Sequence, residues 1–472
     1  MSELAHSIPP EAGNPPKAPK APKVKQAVHQ AVWRWHFYAG IIFAPFLIIL
    51  AVSGAAYLFK PQIEGILYKD LLTVSLTGQQ AMSPADIIAK TEKGYPGSTV
   101  NSLTLTNDPK AAYSMSVNYA GKATTMYADP YTGNINGSLD SNKTFSAVFK
   151  KLHSQLLIDG TWTNRLVELA ACWGVILIAT GLILWWPRSR SGIWGTILPR
   201  LSKPGSRMFW RDLHAVPAFW ISIMLILLIL TGLPWSGVLG PKISKLADNT
   251  NTNVPPYAYS FLPGPESVTV KSKDIADDLP WATQDLPVPL SSASGGYMTL
   301  SVNDVEAIVD KQNVLKPYTI TLPSGEAGVF TVSTSHKKPD HDATLHIDQY
   351  SGAVLTDVRF ADYGIAGKLI SYGIALHEGR LFGLANQLLG LVAALGLVLI
   401  SISSYFMWRK RKPDGLGAPS RTKNRKVSIA VLALMLVCGV LMPLVGVSLV
   451  VVLLLDWLVI RRIKPLKTWF AA

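Results

Sequence analysis

Two cysteines among 472 residues leave no disulfide framework to organise this chain. Cys172 and Cys438 both fall inside apolar runs, away from any C-x-x-C zinc spacing or the C-x-x-C-H signature of covalent haem attachment. There is also no G-x-G-x-x-G turn, so no dinucleotide fold is written into the chain. Acidic residues are scarce where basic ones gather. Residues 1–35, 187–212, 409–426 and 461–472 hold 23 of the 44 Lys and Arg but only four acids, Glu3, Glu11, Asp212 and Asp414. That placement argues against nucleic acid as the reason for the net charge of +14. Each basic segment is short and adjoins an apolar run near the ~20 residues that cross a bilayer, the positive-inside pattern. The basic segments are therefore expected to face the cytoplasm, and the chain to be a polytopic α-helical membrane protein.

Residues 1–30, rich in Pro, Ala and Lys, read as a disordered cytoplasmic tail. A first span covers 31–59. Residues 60–150 change to alternating segments such as Ser102–Thr106, Tyr113–Val117 and Thr124–Ala128, with Ser83-Pro84 opening a helix. This predicts a periplasmic α+β domain. Residues 151–186 hold an outer histidine-bearing helix and the second span, 187–209 a cytoplasmic loop, and 210–236 the third span. A second periplasmic α+β domain is expected at 237–370, with strands at Tyr297–Ser301, Tyr318–Leu322, Val329–Ser333 and Thr344–Ile347. Another outer histidine helix and the fourth span fill 371–408, followed by a basic cytoplasmic loop at 409–426. Apolar residues 427–460, broken at Met442-Pro443, predict a C-terminal hairpin, with 461–472 as a cytoplasmic tail. Asp456 in that hairpin is expected to reach Arg461 and Arg462.

The chain is written twice. Trp33-Arg34-Trp35-His36 opens the first span, and Trp210-Arg211-Asp212-Leu213-His214 opens the third. Gly54 and Gly232 each follow their histidine by 18 residues, which is five helical turns, on the same face and ~27 Å along the axis. Asp129-Pro130-Tyr131-Thr132-Gly133 matches Asp348-Gln349-Tyr350-Ser351-Gly352. Leu152-His153 with Asn164 matches Leu376-His377 with Asn386. The expected architecture is four core membrane helices in two parallel repeats, related by a pseudo-twofold along the membrane normal, plus the hairpin. These motifs resemble the PepSY-associated transmembrane proteins over roughly residues 30–410. Within that family the chain looks most like bacterial inner-membrane ferric-siderophore reductases. The resemblance implies haem, PepSY-like periplasmic domains and a ferric siderophore as the electron acceptor. The hairpin 427–460 lies outside the shared pattern.

Four of the nine histidines are paired by the repeat: His36 with His214 at the cytoplasmic helix ends, and His153 with His377 on the outer side. Two pairs at two levels suit two bis-histidine haems held without covalent attachment, that is, two haem b groups. Gly54 and Gly232 leave room for a porphyrin plate or, equally, for close helix packing. Arg34, Arg211, Arg165 and Arg380 lie near the histidines and are candidate partners for haem propionates. For Arg34 and Arg211 the positive-inside rule gives an equal account. His336, His341 and His346 recur every five residues, but His346 falls in the strand expected at Thr344–Ile347 and His341 in a turn, so a solvated loop is favoured over a metal or ferric-chelate contact. The expected function is haem-dependent electron transfer across the membrane to a periplasmic ferric siderophore. No cytoplasmic loop is long enough for a nucleotide domain, so a quinol or a separate reductase is the expected donor. The competing expectation is a haem-free membrane protein that binds or restrains a periplasmic protease or other partner.

Overall fold

The structure, a computed structural model, describes residues 24–470 apart from 77, 188–192, 256–265, 293–297, 335, 412–414 and 423. The first half runs α1 (Val24–Leu58), α2 (Lys60–Leu67), α3 (Lys69–Leu72), α4 (Pro84–Gly94), β1 (Thr99–Leu105), β2 (Tyr113–Tyr119), β3 (Lys122–Ala128), β4 (Ile135–Asp140), α5 (Phe145–Gln155) and α6 (Thr161–Trp185). The second runs α7 (Arg207–Gly232), α8 (Leu239–Asn249), β5 (Glu266–Lys271), α9 (Ser272–Ile275), β6 (Pro287–Pro289), α10 (Val302–Lys311), β7 (Tyr318–Thr321), β8 (Val329–Thr334), β9 (Ala343–Asp348), β10 (Val354–Arg359), α11 (Ile365–His377) and α12 (Leu384–Arg409). It ends with α13 (Arg425–Leu441), α14 (Pro443–Leu455) and α15 (Lys464–Trp469). Five stretches among the described residues are long and apolar enough to cross a membrane: 24–58, 161–185, 207–235, 384–409 and 443–460. This is a multi-pass membrane protein with a separate α+β part.

α1, α6, α7 and α12 pack in a closed ring, each against two of the others. The α13–α14 hairpin leans on its outside, α13 against α1 and α14 against α6. Two expectations are corrected here. α1 begins at Val24, inside the segment read as a tail, because Ala27 and Ala31 pack against Val427 of α13. Their spacing of four makes an apolar stripe, but its partner lies some 400 residues away in sequence, where local reading does not reach. Asp456 pairs with Arg461 and with Arg421, whereas Arg462 lies over the Trp457 ring.

The larger correction concerns the outer domains. They do not build a sheet each: eight antiparallel strands join in one sheet, in the order β10-β9-β8-β7-β1-β2-β3-β4, and β5 and β6 form a separate two-stranded pair. Each half contributes a four-strand meander, and the halves join where β1 pairs with β7, Leu103 opposite Ile320. Across that seam the Thr104 and Thr319 hydroxyls are 2.9 Å apart. Joining the meanders satisfies a row of backbone groups that each alone would leave at an open edge. One face carries a continuous core of Leu103, Met115, Met126, Ile320, Val332 and Leu345, covered by Ile87 of α4 and Val305 of α10. Ser83 and Ser301 cap these two helices through the backbone N–H groups of Asp86 and Asp304. Ser301 is therefore a cap. The strand expected at Tyr297–Ser301 does not form over Met298–Leu300, and Tyr297 lies outside the described residues.

The repeated D-x-Y-[ST]-G motif has a local cause. Asp129 and Asp348 each accept the backbone N–H two residues on, from Tyr131 and Tyr350, and a hydroxyl from Thr132 or Ser351. Gly133 and Gly352 follow at φ +67° and +75°, where a side chain would be strained. A further polar group went unnoticed in the sequence. Glu168, 2% exposed within α6, accepts the N–H groups of Val238 and Leu239 at 2.7 and 3.1 Å and so caps α8. One acid in an apolar helix carries no spacing signal that would have revealed this.

Candidate functional site

The helix ring encloses a cavity of about 1610 Å³ that reaches from its basic end to the sheet. All four repeat-paired histidines line it. His36 of α1 faces His214 of α7 near the basic end, with ring centres 6.2 Å apart and planes at 82°. His153 of α5 faces His377 of α11 at the sheet end, again 6.2 Å apart, with planes at 66°. His153 packs on Gly54, 18 residues beyond His36 on α1, so the two levels lie ~27 Å apart along that helix.

The hydrogen bonds decide which ring nitrogen is available. His214 Nδ1 lies 2.9 Å from the Ile400 carbonyl, and His377 Nδ1 lies 2.8 Å from the Leu228 carbonyl. A carbonyl only accepts, so both Nδ1 atoms carry the proton. His36 Nδ1 meets the Thr180 hydroxyl at 2.9 Å, and His153 Nδ1 meets the Ser53 hydroxyl at 3.0 Å. Each of those hydroxyls already donates, at 2.6 Å, to the carbonyl four residues back, Ile176 or Ile49, so each receives the histidine proton. All four Nε2 atoms are left as bare lone pairs, and they form no hydrogen bond among the described residues. An Nδ1–H anchored to protein oxygen with a free Nε2 is how metal-ligating histidines are held. Two such nitrogens, each about 2 Å from a shared metal, put the ring centres about 6 Å apart.

Two histidines are too few for a bare ion, and no group of three or more His, Cys, Asp or Glu poised for metal exists among the described residues. Each pair could hold a metal whose remaining donors come with a bound macrocycle. A cavity of this size exceeds the ~300–1,000 Å³ of a typical ligand pocket and has room for more than one such group.

The other candidates fare differently. A Cβ on Gly54 would lie 3.2 Å from His153 Cε1, and one on Gly232 3.0 Å from His377 Cε1. Both glycines therefore make room for the sheet-end histidines. Gly181 of α6 does the same for His36, at 3.3 Å, and was missed because it falls outside the 18-residue register. Arg211 lines the cavity but pairs with Asp212, and Arg380 lines it while bonded to Glu378 and the His336 carbonyl. Arg34 and Arg165 lie off the cavity wall: Arg34 donates to the Pro419 carbonyl, and Arg165 stacks over Trp162. Which face of a helix looks inward is set by its neighbours, so closeness in sequence to a histidine does not decide it.

His346 lies in a strand, as the pattern at Thr344–Ile347 predicts, but in the core and not in solvated surroundings. It is fully buried in β9, with Nε2 and Nδ1 each 3.0 Å from the hydroxyls of Ser272 and Thr331. In the β8–β9 connection His341 is exposed and His336 half-buried with its Nε2 buried and unpartnered, the two rings edge to face at 5.9 Å. Asp342, beside them, is 5% exposed and lines the cavity with Oδ1 unpartnered. The motif asparagines turn out to be braces. Asn164 of α6 donates to the Ser154 carbonyl, and Asn386 of α12 donates to the Leu376 carbonyl, which ties each histidine helix to the span that follows it.

Fold and site together define a multi-pass membrane protein in which a duplicated helix ring holds two histidine pairs at the two ends of one cavity. The family model described as the PepSY-associated TM region matches residues 33–411, and the chain belongs to that family. The match takes in all four histidines and stops short of α13 and α14. No curated protein matches the chain.

Proposed function

We propose that this protein moves electrons across a bacterial cytoplasmic membrane to a ferric siderophore on the sheet side. It does so with two non-covalent haem b groups, one held by His36 and His214 and one by His153 and His377. The observation that carries this reading is the pair geometry: Nδ1–H anchored, Nε2 free, ring centres 6.2 Å apart, at both ends of one cavity. In this reading the basic end faces the cytoplasm, following the charge placement, and the donor there is a quinol or a separate reductase. Bound haem supplies one-electron chemistry that no side chain here offers. His36 with His214 and His153 with His377 would hold the two irons, while the Nδ1 anchors orient the imidazoles and the cavity surrounds them with a largely apolar wall. Ferrous iron is held far less tightly than ferric iron by hard oxygen donors, so reduction outside the membrane releases it.

Protein purified from haem-replete cells is expected to be red, with a Soret band and α-bands that sharpen on dithionite, and to hold two haems per chain. A colourless preparation would sink the haem reading and leave the partner-binding alternative. Mixing the reduced protein with a ferric siderophore and a ferrous chelator tests the acceptor. Reoxidation of the haems with formation of the ferrous complex is the expected result; no reoxidation would point to another acceptor.

The glycines supply a sharper test. In Gly232→Val the new side chain meets the His377 ring, which the Leu228 carbonyl and Thr231 hydroxyl hold in place. The expected outcome is loss of about half the haem, all from the sheet-end pair, with the basic-end spectrum unchanged. A variant that keeps both haems with native spectra would show that this contact does not matter.

A further inference from the structure

We infer that Arg207 and Arg411 form a carboxylate clamp at the basic mouth of the cavity, and that its ligands are the propionates of the haem held by His36 and His214. The inference rests on the haem reading above. Four arginines line this mouth, Arg200, Arg207, Arg211 and Arg411. The first and third are compensated: both pair with Asp212, whose side chain is fully buried. The side chains of Arg207 and Arg411 form no ion pair or hydrogen bond among the described residues, and Arg411 meets only aromatic faces. Among the described arginines at the mouth they are the two without an anionic partner.

Their positions suit the inner pair. On α7, Arg207, Arg211 and His214 follow at spacings of four and three, so they share one helix face. Arg207 lies two turns, ~10.5 Å, before His214 along the axis. Arg411, just past α12, sits 5.4 Å from the centre of the Trp33 ring and 5.2 Å from that of Phe37. Those residues lie one turn before His36 and next to it. Partial burial first, and the Arg207 charge second, disfavour the protonated form of Arg411. The two like charges repel, and the aromatic faces under Arg411 offset only part of that cost, so an anion joining them is favoured. A guanidinium binds a carboxylate through two parallel hydrogen bonds, and two guanidiniums match the two carboxylates on one edge of haem. The apolar remainder of the macrocycle then faces the aliphatic wall.

A phospholipid phosphate has similar oxyanion chemistry, so the test separates the two sources. The full chain is purified as Arg207→Gln, Arg411→Gln, the double variant, the double lysine variant, and Arg34→Gln, which removes a charge off the cavity wall. Haem content, spectroscopic redox titration, haem loss to an apo-globin trap, and co-purifying phospholipid phosphate are measured on each. In the double glutamine variant the basic-end haem is expected to show a lower midpoint potential, because its reduced form loses two nearby positive charges. Haem loss from that site rises about tenfold or more per arginine, the worth of one charge-assisted hydrogen bond. The lysine variant regains the potential but not all of the retention, and Arg34→Gln behaves as wild type. Wild-type potentials and loss rates in the double glutamine variant would overturn the inference. So would a fall in bound phospholipid with both haems untouched. A wild-type protein without haem would instead fail the underlying reading, before any variant is compared.

Discussion

Alanine at His36 or His214 is expected to abolish the basic-end haem and leave the sheet-end haem, and alanine at His153 or His377 to do the reverse. On the proposed reading each haem would rely on both histidines of its pair, and the two pairs are separated by ~27 Å of α1, so damage at one is not expected to reach the other. The Nδ1 anchors belong to different elements at each level: Thr180 of α6 and the Ile400 carbonyl of α12 below, Ser53 of α1 and the Leu228 carbonyl of α7 above. A single ligand loss should therefore take haem content from two per chain to about one. The surviving centre should keep its low-spin spectrum and its midpoint potential. The truncated side chain leaves a hole beside the iron, so adding imidazole to the His36→Ala protein should restore the lost spectrum. Haem assay, low-temperature EPR and imidazole rescue check this. If every single variant lost both haems while remaining folded, the pairing of His36 with His214 and of His153 with His377 would be wrong.

Replacing Asp342 by Asn should make the protein more stable at pH 8 and remove a pH dependence that the native chain shows below neutrality. Burial drives the Asp342 carboxyl from its ordinary 3.8 up to about 7. The Arg380 charge and the His336 backbone N–H oppose that rise, while Asp340 and Glu378 add to it. The buried Tyr363 hydroxyl also faces this carboxyl. Since the folded chain binds this proton more tightly than the unfolded chain, stability is fullest below about pH 4. It falls as the pH rises toward 7, because ionising the buried group in the folded state is unfavourable. An Asn side chain resembles the protonated acid and cannot ionise. The variant should therefore gain on the order of a few kcal/mol at pH 8 and little at pH 4. Thermal unfolding in detergent across pH 4 to 8 measures it. A variant less stable than wild type at pH 8, or one with the same slope, would mean that Asp342 is charged and paired in the native protein.

The membrane helices and the duplication were legible because they rest on local signals: apolar length, charge at helix ends, and motifs that recur in the same order. His36 and His214 could be matched because each opens its own helix 18 residues before a glycine. The turns at Asp129 and Asp348 were visible for the same reason, since the bonds from Tyr131, Thr132, Tyr350 and Ser351 to the two carboxylates lie within three residues. The sheet was misread in number. Each meander is locally complete, and nothing within 60–150 or 237–370 announces that β1 will pair with β7. Candidate arginines were chosen by closeness in sequence, which put forward Arg34, off the cavity wall, and missed Arg207 and Arg411, which line it.

By itself, then, the sequence determined how many times the chain is written, which segments are apolar enough for a membrane and which four histidines correspond. Tertiary structure alone decided that the outer halves share one sheet, that Gly54 and Gly232 accommodate histidines, and that every paired histidine is anchored through Nδ1 with its ring centre 6.2 Å from its partner's. The physical reason is range. Helical register and turn chemistry act over a few residues, whereas the orientation of an imidazole at His36 is set by a hydroxyl at Thr180, on a different helix 144 residues away.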